Sequence, residues 1–273
     1  MSGLGLTFLR RGGQAHPTVG SDYIKFADET VFNILMSKGV SSDGVGITKD
    51  DAARVTNIGT WFRQSSIVEF GELEYFSITQ IPGSSQSGGA FQACANLRKI
   101  SMPESVTKIG SYGFSNCANL DNIGDIPNVT SIESYAFTGC TKLAIEVNAP
   151  SLSYLGNPAF MNSGISAVKD LGRVSSIPGS SSGGCFQGCK NMTIFNIPAS
   201  VTSIGAYALY TCSNLRILIS RAVEPPTLAS TSLGGTPSDM KIYVPDASVD
   251  AYKAASGWST YASRIKGISE YNE

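Results

Sequence analysis

The feature that most constrains this chain is an internal repeat. Phe91-Gln-Ala-Cys-Ala-Asn-Leu returns as Phe114-Ser-Asn-Cys-Ala-Asn-Leu, Phe137-Thr-Gly-Cys-Thr-Lys-Leu, Phe186-Gln-Gly-Cys-Lys-Asn-Met and Leu209-Tyr-Thr-Cys-Ser-Asn-Leu. Phe91, Phe114, Phe137 and Phe160 step by about 23 residues, and the step to Phe186 is longer by about three. A fixed period of roughly 20–50 residues marks a stack of similar units, each too small to bury its apolar face alone.

Each unit continues into an apolar pair and a proline: Ile100-Ser-Met102-Pro103, Ile123 to Ile126-Pro127, and Phe195-Asn-Ile197-Pro198. Two apolar residues spaced by two fit the buried face of a short strand, and a proline without an N–H ends its pairing. A segment Val-Thr-x-Ile-Gly-x-Tyr-x-Phe follows, seen at residues 106–114, at 129–137 with Glu133 replacing glycine, and at 201–209 with leucine last. Val106, Ile109 and Phe114 are expected to line the return leg of the coil, with Gly110 where the backbone turns tightly.

The pattern F-x-x-C-x-N-L-x-x-I-x-I-P-x-S-V-T-x-I-G-x-Y-A-F resembles the BspA-like leucine-rich repeats common in Bacteroidetes and their phages, over about residues 62–245. The resemblance implies an α/β repeat fold, a leucine-rich-repeat solenoid of about 23-residue coils with short strands. It also implies protein or glycan binding without naming a ligand. The unit at Phe160 departs from the pattern, since Ser163 replaces the cysteine and one residue is missing before Ile165.

The repeat decides how the cysteines are read. Cys94, Cys117, Cys140, Cys189 and Cys212 each lie three residues after the anchor, so they should form a ladder of reduced thiols in equivalent buried sites. Cys185 lies in a Gly/Ser loop and is expected to be exposed. A zinc site needs converging ligands, which a ladder does not supply. The single histidine, His16, sits in a Gly/Pro-rich leader, leaving Ser-His-Asp and Cys-His mechanisms one badly placed base. Carboxylates such as Glu104, Asp125 and Glu146 fall on different coils. The chain reads as a non-enzyme, and no residue set calls for a cofactor or a metal.

Four segments are expected. Residues 1–20 form an extended leader, 21–61 a helical N-terminal cap, 62–239 the solenoid and 240–273 a strand–helix C-terminal cap. Asp28 can cap a helix through Val31, Ile34 and Leu35, and Thr48 with Asp51 resembles a capping box. In related sequences the loop between these helices resembles an EF-hand loop, of which Asp43-Gly44 and Asp51 would be the remnant. Aligning Ile47 at that loop's apolar position puts Val40 and Ser42 where acidic ligands belong, so the loop reads as a shield for the first coil rather than a calcium site. At the other end, Asp246 or Ser248 can cap a last helix that Gly257 ends, with Trp258, Tyr261 and Ile265 covering the final coil.

Two Gly/Ser-rich insertions, at residues 81–89 and 177–185, read as replacements for the Val-Thr-x-Ile-Gly leg, serving either as contact loops or as shortened coils. In the leader, Leu4, Leu6 and Phe8 alternate as in a half-buried strand, followed by Arg10 and Arg11. This suits an anchoring peptide that adds a strand to another structural protein, the alternative being a leader folded back on its own cap.

Only 15% of residues are charged and the formal net charge is −1, which argues against nucleic acid as a partner. No window approaches a membrane span, and the arginines follow the short apolar stretch, the reverse of a secretory signal. The expected role is therefore a phage virion component made in the host cytoplasm, the alternative being a bacterial cell-surface adhesin. Self-association is left open. The binding surface is expected on strand residues that alternate with the core: Lys99, Ser101, Asn122, Asp125, Glu146, Asn148, Lys169 and Asn196.

Overall fold

The computed structural model describes residues 22–272, which wind into a β-solenoid of about seven turns. Each coil contributes one short strand to each of two sides. On the front, Glu69–Phe70 and Lys99–Ile100 pair in parallel and bridge to Asn122. A second front sheet joins Glu146–Asn148, Ala167–Asp170, Ile194–Ile197, Ile217–Ser220, Lys241–Val244 and Ile265–Gly267, again in parallel. The rear holds two parallel ladders, Gln80–Ile81 through Lys108–Ile109 and Ser131–Ile132 to Tyr154–Leu155, then Ser176–Ile177, Ser203–Ile204 and Thr227–Leu228.

The repeated residues explain the stacking. Phe62, Phe91, Phe114, Phe137, Phe160 and Phe186 are fully buried and stack ring on ring, with centroids 5.1–5.4 Å apart and interplanar angles of 4–17°. That spacing is close to the separation of paired strands, so one side chain per coil forms a continuous column. Three residues on, each thiol donates to the carbonyl of the anchor one coil back: Cys117 to Phe91 at 2.9 Å, Cys140 to Phe114 at 3.1 Å, and Cys212 to Phe186 at 3.1 Å. Ser163 and Ser65 occupy the same position and contact Cys189 and Cys94.

The motif's asparagine and threonine have the same logic. Asn119 Nδ2 donates to the Ala95 carbonyl at 2.7 Å and Asn214 Nδ2 to Lys190 at 2.8 Å. On the rear side, Thr130 Oγ1 and Ser153 Oγ donate at 3.1 Å to Thr107 and Thr130 of the preceding coil. Val-Thr-x-Ile is therefore one buried valine, one hydroxyl tying coils together and one buried isoleucine of the rear ladder.

Helix Glu29–Ser37 starts at Asp28, whose carboxylate accepts from Thr30 N, and Thr48 with Asp51 completes the capping box of helix Lys49–Ala53. Asp28 also fastens this cap to the solenoid, because its second oxygen accepts from the backbone N–H of Val68 and Glu69. Asp43 is held by Tyr23 Oη, Ser41 Oγ and the N–H groups of Val45 and Gly46. These bonds fix the loop through Asp43 and hold its carboxyl well below the usual range, the Tyr23 phenol contributing most.

Several expectations need correcting. The Gly/Ser insertions do not replace the Val-Thr-x-Ile leg: Ile81 and Ile177 remain in the rear ladders, paired with Ile109 and Ile204. The extra residues follow as small antiparallel hairpins, Gly83–Ser84 with Gly88–Gly89 and Gly179–Ser180 with Gly183–Gly184. Their glycines press on the next coil, and a Cβ on Gly184 would lie 1.8 Å from the Tyr207 carbonyl oxygen. Gly110 serves the same close approach rather than a tight turn, since a Cβ there would meet Gly83 N at 2.7 Å. The left-handed residue nearby is Tyr112, with φ 61°.

Cys185 is fully buried and its thiol points at the Gly156 carbonyl, 3.6 Å away, because the hairpin folds onto the coil. At the C-terminus neither Asp246 nor Ser248 caps helix Val249–Ala254 through its side chain; Asp246 instead accepts from Ser269 N and Oγ at 3.2 and 2.9 Å. Gly257 lies past the helix end with φ +82°, where a Cβ would meet the Leu228 carbonyl at 2.4 Å. Trp258 and Ile265 are buried as expected, and Tyr261 is half-buried. Trp258 Nε1 donates to Pro226 O and Tyr252 Oη to Ala222 O, at 2.7 and 2.8 Å.

Candidate binding face

Alternation on a strand sends every second side chain outward, and the front strands Glu146–Asn148, Ile194–Ile197 and Lys241–Val244 follow it. Lys99, Asn122, Asp125, Glu146, Asn148 and Lys169 are exposed, while Ser101 and Asn196 are half-buried. Four of these eight converge. Asn122, Asp125, Glu146 and Asn148 line one cleft of about 430 Å³, with Gly124, Ile126 and Ile145. Asp125 and Glu146, read from the sequence as scattered over separate coils, thus border the same space.

The cleft exists because the front sheet is split there. Among the described residues no backbone hydrogen bond runs from residues 122–125 to the strand Glu146–Asn148. The spacing gives the cause. Leu97 precedes buried Ile100 by three residues and Leu120 precedes buried Ile123 by three, whereas Leu143 precedes buried Val147 by four. The additional residue, within Ala144-Ile145, lets the strand rise away from the preceding coil. On the opposite wall Gly124 takes φ +70° with open space where a Cβ would stand, so that wall turns outward. Gly124, Ile126 and Ile145 are the lining residues that pattern reading missed, and the four-residue spacing after Leu143 is the signal that could have found them.

The polar groups are partly committed. Asn122 Oδ1 accepts from Gly124 N at 2.7 Å, which fixes the local turn and leaves its amide N–H groups facing solvent. Glu146 and Lys169 form an exposed ion pair at 3.7 Å, a contact worth little by itself in water. Lys169 reaches this position through a register shift between Val168 and Asp170, not by simple alternation. Asn196 donates to the Lys169 carbonyl at 2.9 Å and works as a tie between coils. Ser101 faces a different recess of about 360 Å³, shared with Tyr23, Lys25, Lys49, Glu72 and Tyr75 at the N-terminal cap. Lys99 extends the face on the split sheet's other half. Leu4, Leu6, Phe8, Arg10, Arg11 and His16 lie outside the described residues.

The thiols point inward. Burial pushes Cys140 and Cys189 up to about 12, and Cys185 and Cys212 are raised for the same reason. Such thiols are core, not nucleophiles. Among the described residues no group of three His, Cys, Asp or Glu could hold a metal ion, and no helix is long and apolar enough to cross a membrane.

Parallel coils, a phenylalanine column and a polar front face define the class: a leucine-rich-repeat solenoid. The model of the BspA-type leucine-rich-repeat region matches residues 69–182 and 180–224 with six copies, and the chain belongs to that family. Among solved structures it is similar to a leucine-rich repeat protein from Bacteroides ovatus, at 17% identity and TM-score 0.37, covering 63% of each chain. It is also similar to a leucine-rich cell surface protein from Faecalibacterium prausnitzii, at 18% identity and TM-score 0.40, over 70% of this chain and 62% of that one. This chain therefore spans less than two thirds of either structure. No curated protein sequence matches it significantly.

Proposed function

We propose that the protein is a non-enzymatic binding component that presents its front face to a protein or glycan, with the cleft at Asn122, Asp125, Glu146 and Asn148 as the contact centre. The observation that carries this is the convergence of four polar side chains on one recess that Ile126 and Ile145 also line. Pockets of this make-up orient a ligand through a few polar groups and hold it through apolar contact.

The setting proposed for this activity is a phage particle. Residues 4–11 anchor the protein to another structural component by strand addition, and the solenoid faces outward for host attachment, as part of a tail, a fibre or a capsid decoration. The alternating Leu4, Leu6 and Phe8 support the anchor. A bacterial cell-surface adhesin is the competing setting, and immunogold labelling of purified particles against intact cells separates the two.

Binding of the protein to host-surface glycan and protein preparations, compared with an Asn122→Ala/Glu146→Ala/Asn148→Ala variant of unchanged circular dichroism, tests the face. A loss of at least tenfold is expected. Equal binding by the variant refutes the cleft as the contact centre. Deletion of residues 2–13 is expected to abolish incorporation into particles while leaving the solenoid folded, and normal incorporation refutes the anchor.

A further inference from the structure

The split in the front sheet leaves backbone groups facing the cleft without partners. On one wall, Ser166 N donates to Ile145 O and Ala149 N to Asp170 O, each at 3.0 Å, so residues 145, 147 and 149 turn their backbone toward the following coil. By alternation Glu146 and Asn148 turn theirs toward the preceding coil, where no backbone group among the described residues receives them. On the other wall, Asn122 is committed to the coil before it, accepting from Ile100 N at 3.2 Å and donating to Arg98 O at 3.3 Å. The next residue, Ile123, has no backbone partner among the described residues.

The gap is local. Further along the same sheet Ile217–Ser220 is paired on both sides. On the rear, the two coils that wall the cleft stay joined, Ser131–Ile132 with Tyr154–Leu155. The cleft is therefore held open by the fold, with its free edge exposed. An open edge of this kind is a template for an added strand.

We propose that the cleft takes an extended, cationic segment of a partner protein, paired through its backbone with Glu146 and Asn148. This rests on the cleft being the contact centre, and it narrows the ligand from a protein or glycan to a peptide strand. Three observations select this occupant. First, the edge leaves open the N–H and carbonyl of two alternate strand residues, the repeat that another strand meets in register. Second, the charged side chains lining the cleft are the carboxylates of Asp125 and Glu146, with no cation beside them in the lining, so lysine or arginine on the partner is favoured over an acidic residue. Lys169, 3.7 Å from Glu146, stands on the following coil in an exposed contact that a partner's cation can replace. Third, half-buried Ile145 alternates with exposed Glu146, and buried Ile126 with exposed Asp125. An added strand thus meets apolar surface on one face and carboxylates on the other, which describes a segment of alternating apolar and basic residues.

The test uses the full chain and a short synthetic peptide of alternating isoleucine and lysine. At saturation, residue-resolved amide exchange is expected to slow at least tenfold at Glu146 and Asn148, while Val147 and Ala149, already paired with the following coil, stay unchanged. Methylating alternate peptide nitrogens separates backbone pairing from side-chain attraction: one alternation should weaken binding at least tenfold and the other leave it near the parent value. An isoleucine–glutamate peptide should bind at least tenfold more weakly. Binding without slowed exchange at Glu146 and Asn148, or with no difference between the two methylation patterns, overturns strand pairing. Equal affinity of the acidic peptide overturns the cationic partner. If the peptide does not bind saturably while a host glycan preparation binds through Asn122 and Asn148, this inference fails and the binding-face reading stands. If neither peptide nor host preparations depend on those residues, both readings fall.

Discussion

Replacing Phe137 by alanine tests how the solenoid holds together. The ring is fully buried, with centroids 5.4 Å from Phe114 and 5.1 Å from Phe160, so it couples the coils on either side. Truncating a buried phenylalanine costs about 3–5 kcal/mol in transfer and cavity terms. Phe137→Leu should cost only about 1–2 kcal/mol, because Leu209 and Leu233 fill equivalent anchor sites buried to 0% and 2%. The two tryptophans lie near opposite ends, Trp61 beside the first coil and Trp258 in the C-terminal cap, so single-tryptophan variants follow each half during urea unfolding. In the parent the two transitions should coincide, and in Phe137→Ala they should separate, since a solenoid's cooperativity is transmitted only between neighbours. A loss below about 1 kcal/mol, far under the usual cost of a buried phenylalanine, refutes the reasoning. Equal costs for alanine and leucine do so too.

Other predictions follow from single contacts. Burial raises the thiols of Cys140 and Cys189 above their ordinary value, so the folded state holds protons that the unfolded chain releases. Their stability contribution is complete below about pH 9 and is lost as pH rises toward about 12, by ~1.4 kcal/mol per pH unit for each of Cys140 and Cys189. Denaturation followed from pH 8 to 11 should show this fall, and a flat profile contradicts the burial. Asp28→Ala should cost about 1–3 kcal/mol by removing a helix cap and a docking acceptor, with faster amide exchange at Val68 as its local sign. Gly184→Ala should cost at least about 1–3 kcal/mol through its clash with the Tyr207 carbonyl. Gly124→Ala, in open space at φ +70°, should cost only about 1–2 kcal/mol of backbone strain, and thermal melts of the pair check the contrast. Lys108→Ala breaks a half-buried surface ion pair with Glu133 and should cost about 1 kcal/mol or less in the same assay.

The coils were legible because the same physical demand recurs at the same position. Phe, Cys, Asn and the Val-Thr pair each meet one requirement of stacking, and a requirement repeated every coil leaves a pattern in sequence. The less legible features arise where one coil meets a particular neighbour. The glycines at 83, 89, 179 and 184 are set by carbonyls in the next coil, which no local pattern contains. Cys185 is buried because its hairpin folds inward, and a Gly/Ser composition carries no sign of that. Asp246 has the right type and place for a helix cap but is taken by Ser269 from a later turn. The polar residues proposed as a binding face stand in the sequence as alternating positions. Their gathering into a cleft depends on one added residue after Leu143, which shifts a strand without altering its character.

The side-chain ties made by the repeated motif point one way. The motif thiols, amides and hydroxyls of Cys117, Asn119 and Thr130 all reach back to carbonyls of the coil before. The array therefore has a head and a tail, like a polymer whose every monomer carries a hook on one side and an eye on the other. At the tail, Tyr252, Trp258 and Arg264 of the cap reach back to carbonyls of Ala222, Pro226 and Pro237, imitating the hooks of a coil that never comes. At the head, the Asp28 carboxylate offers an eye to the N–H groups of Val68 and Glu69. Lengthening such a molecule does not require new ends: a whole unit cut from one anchor to the next and pasted between existing coils brings its own hook and eye. The number of coils is thus free to drift while both caps stay chemically matched.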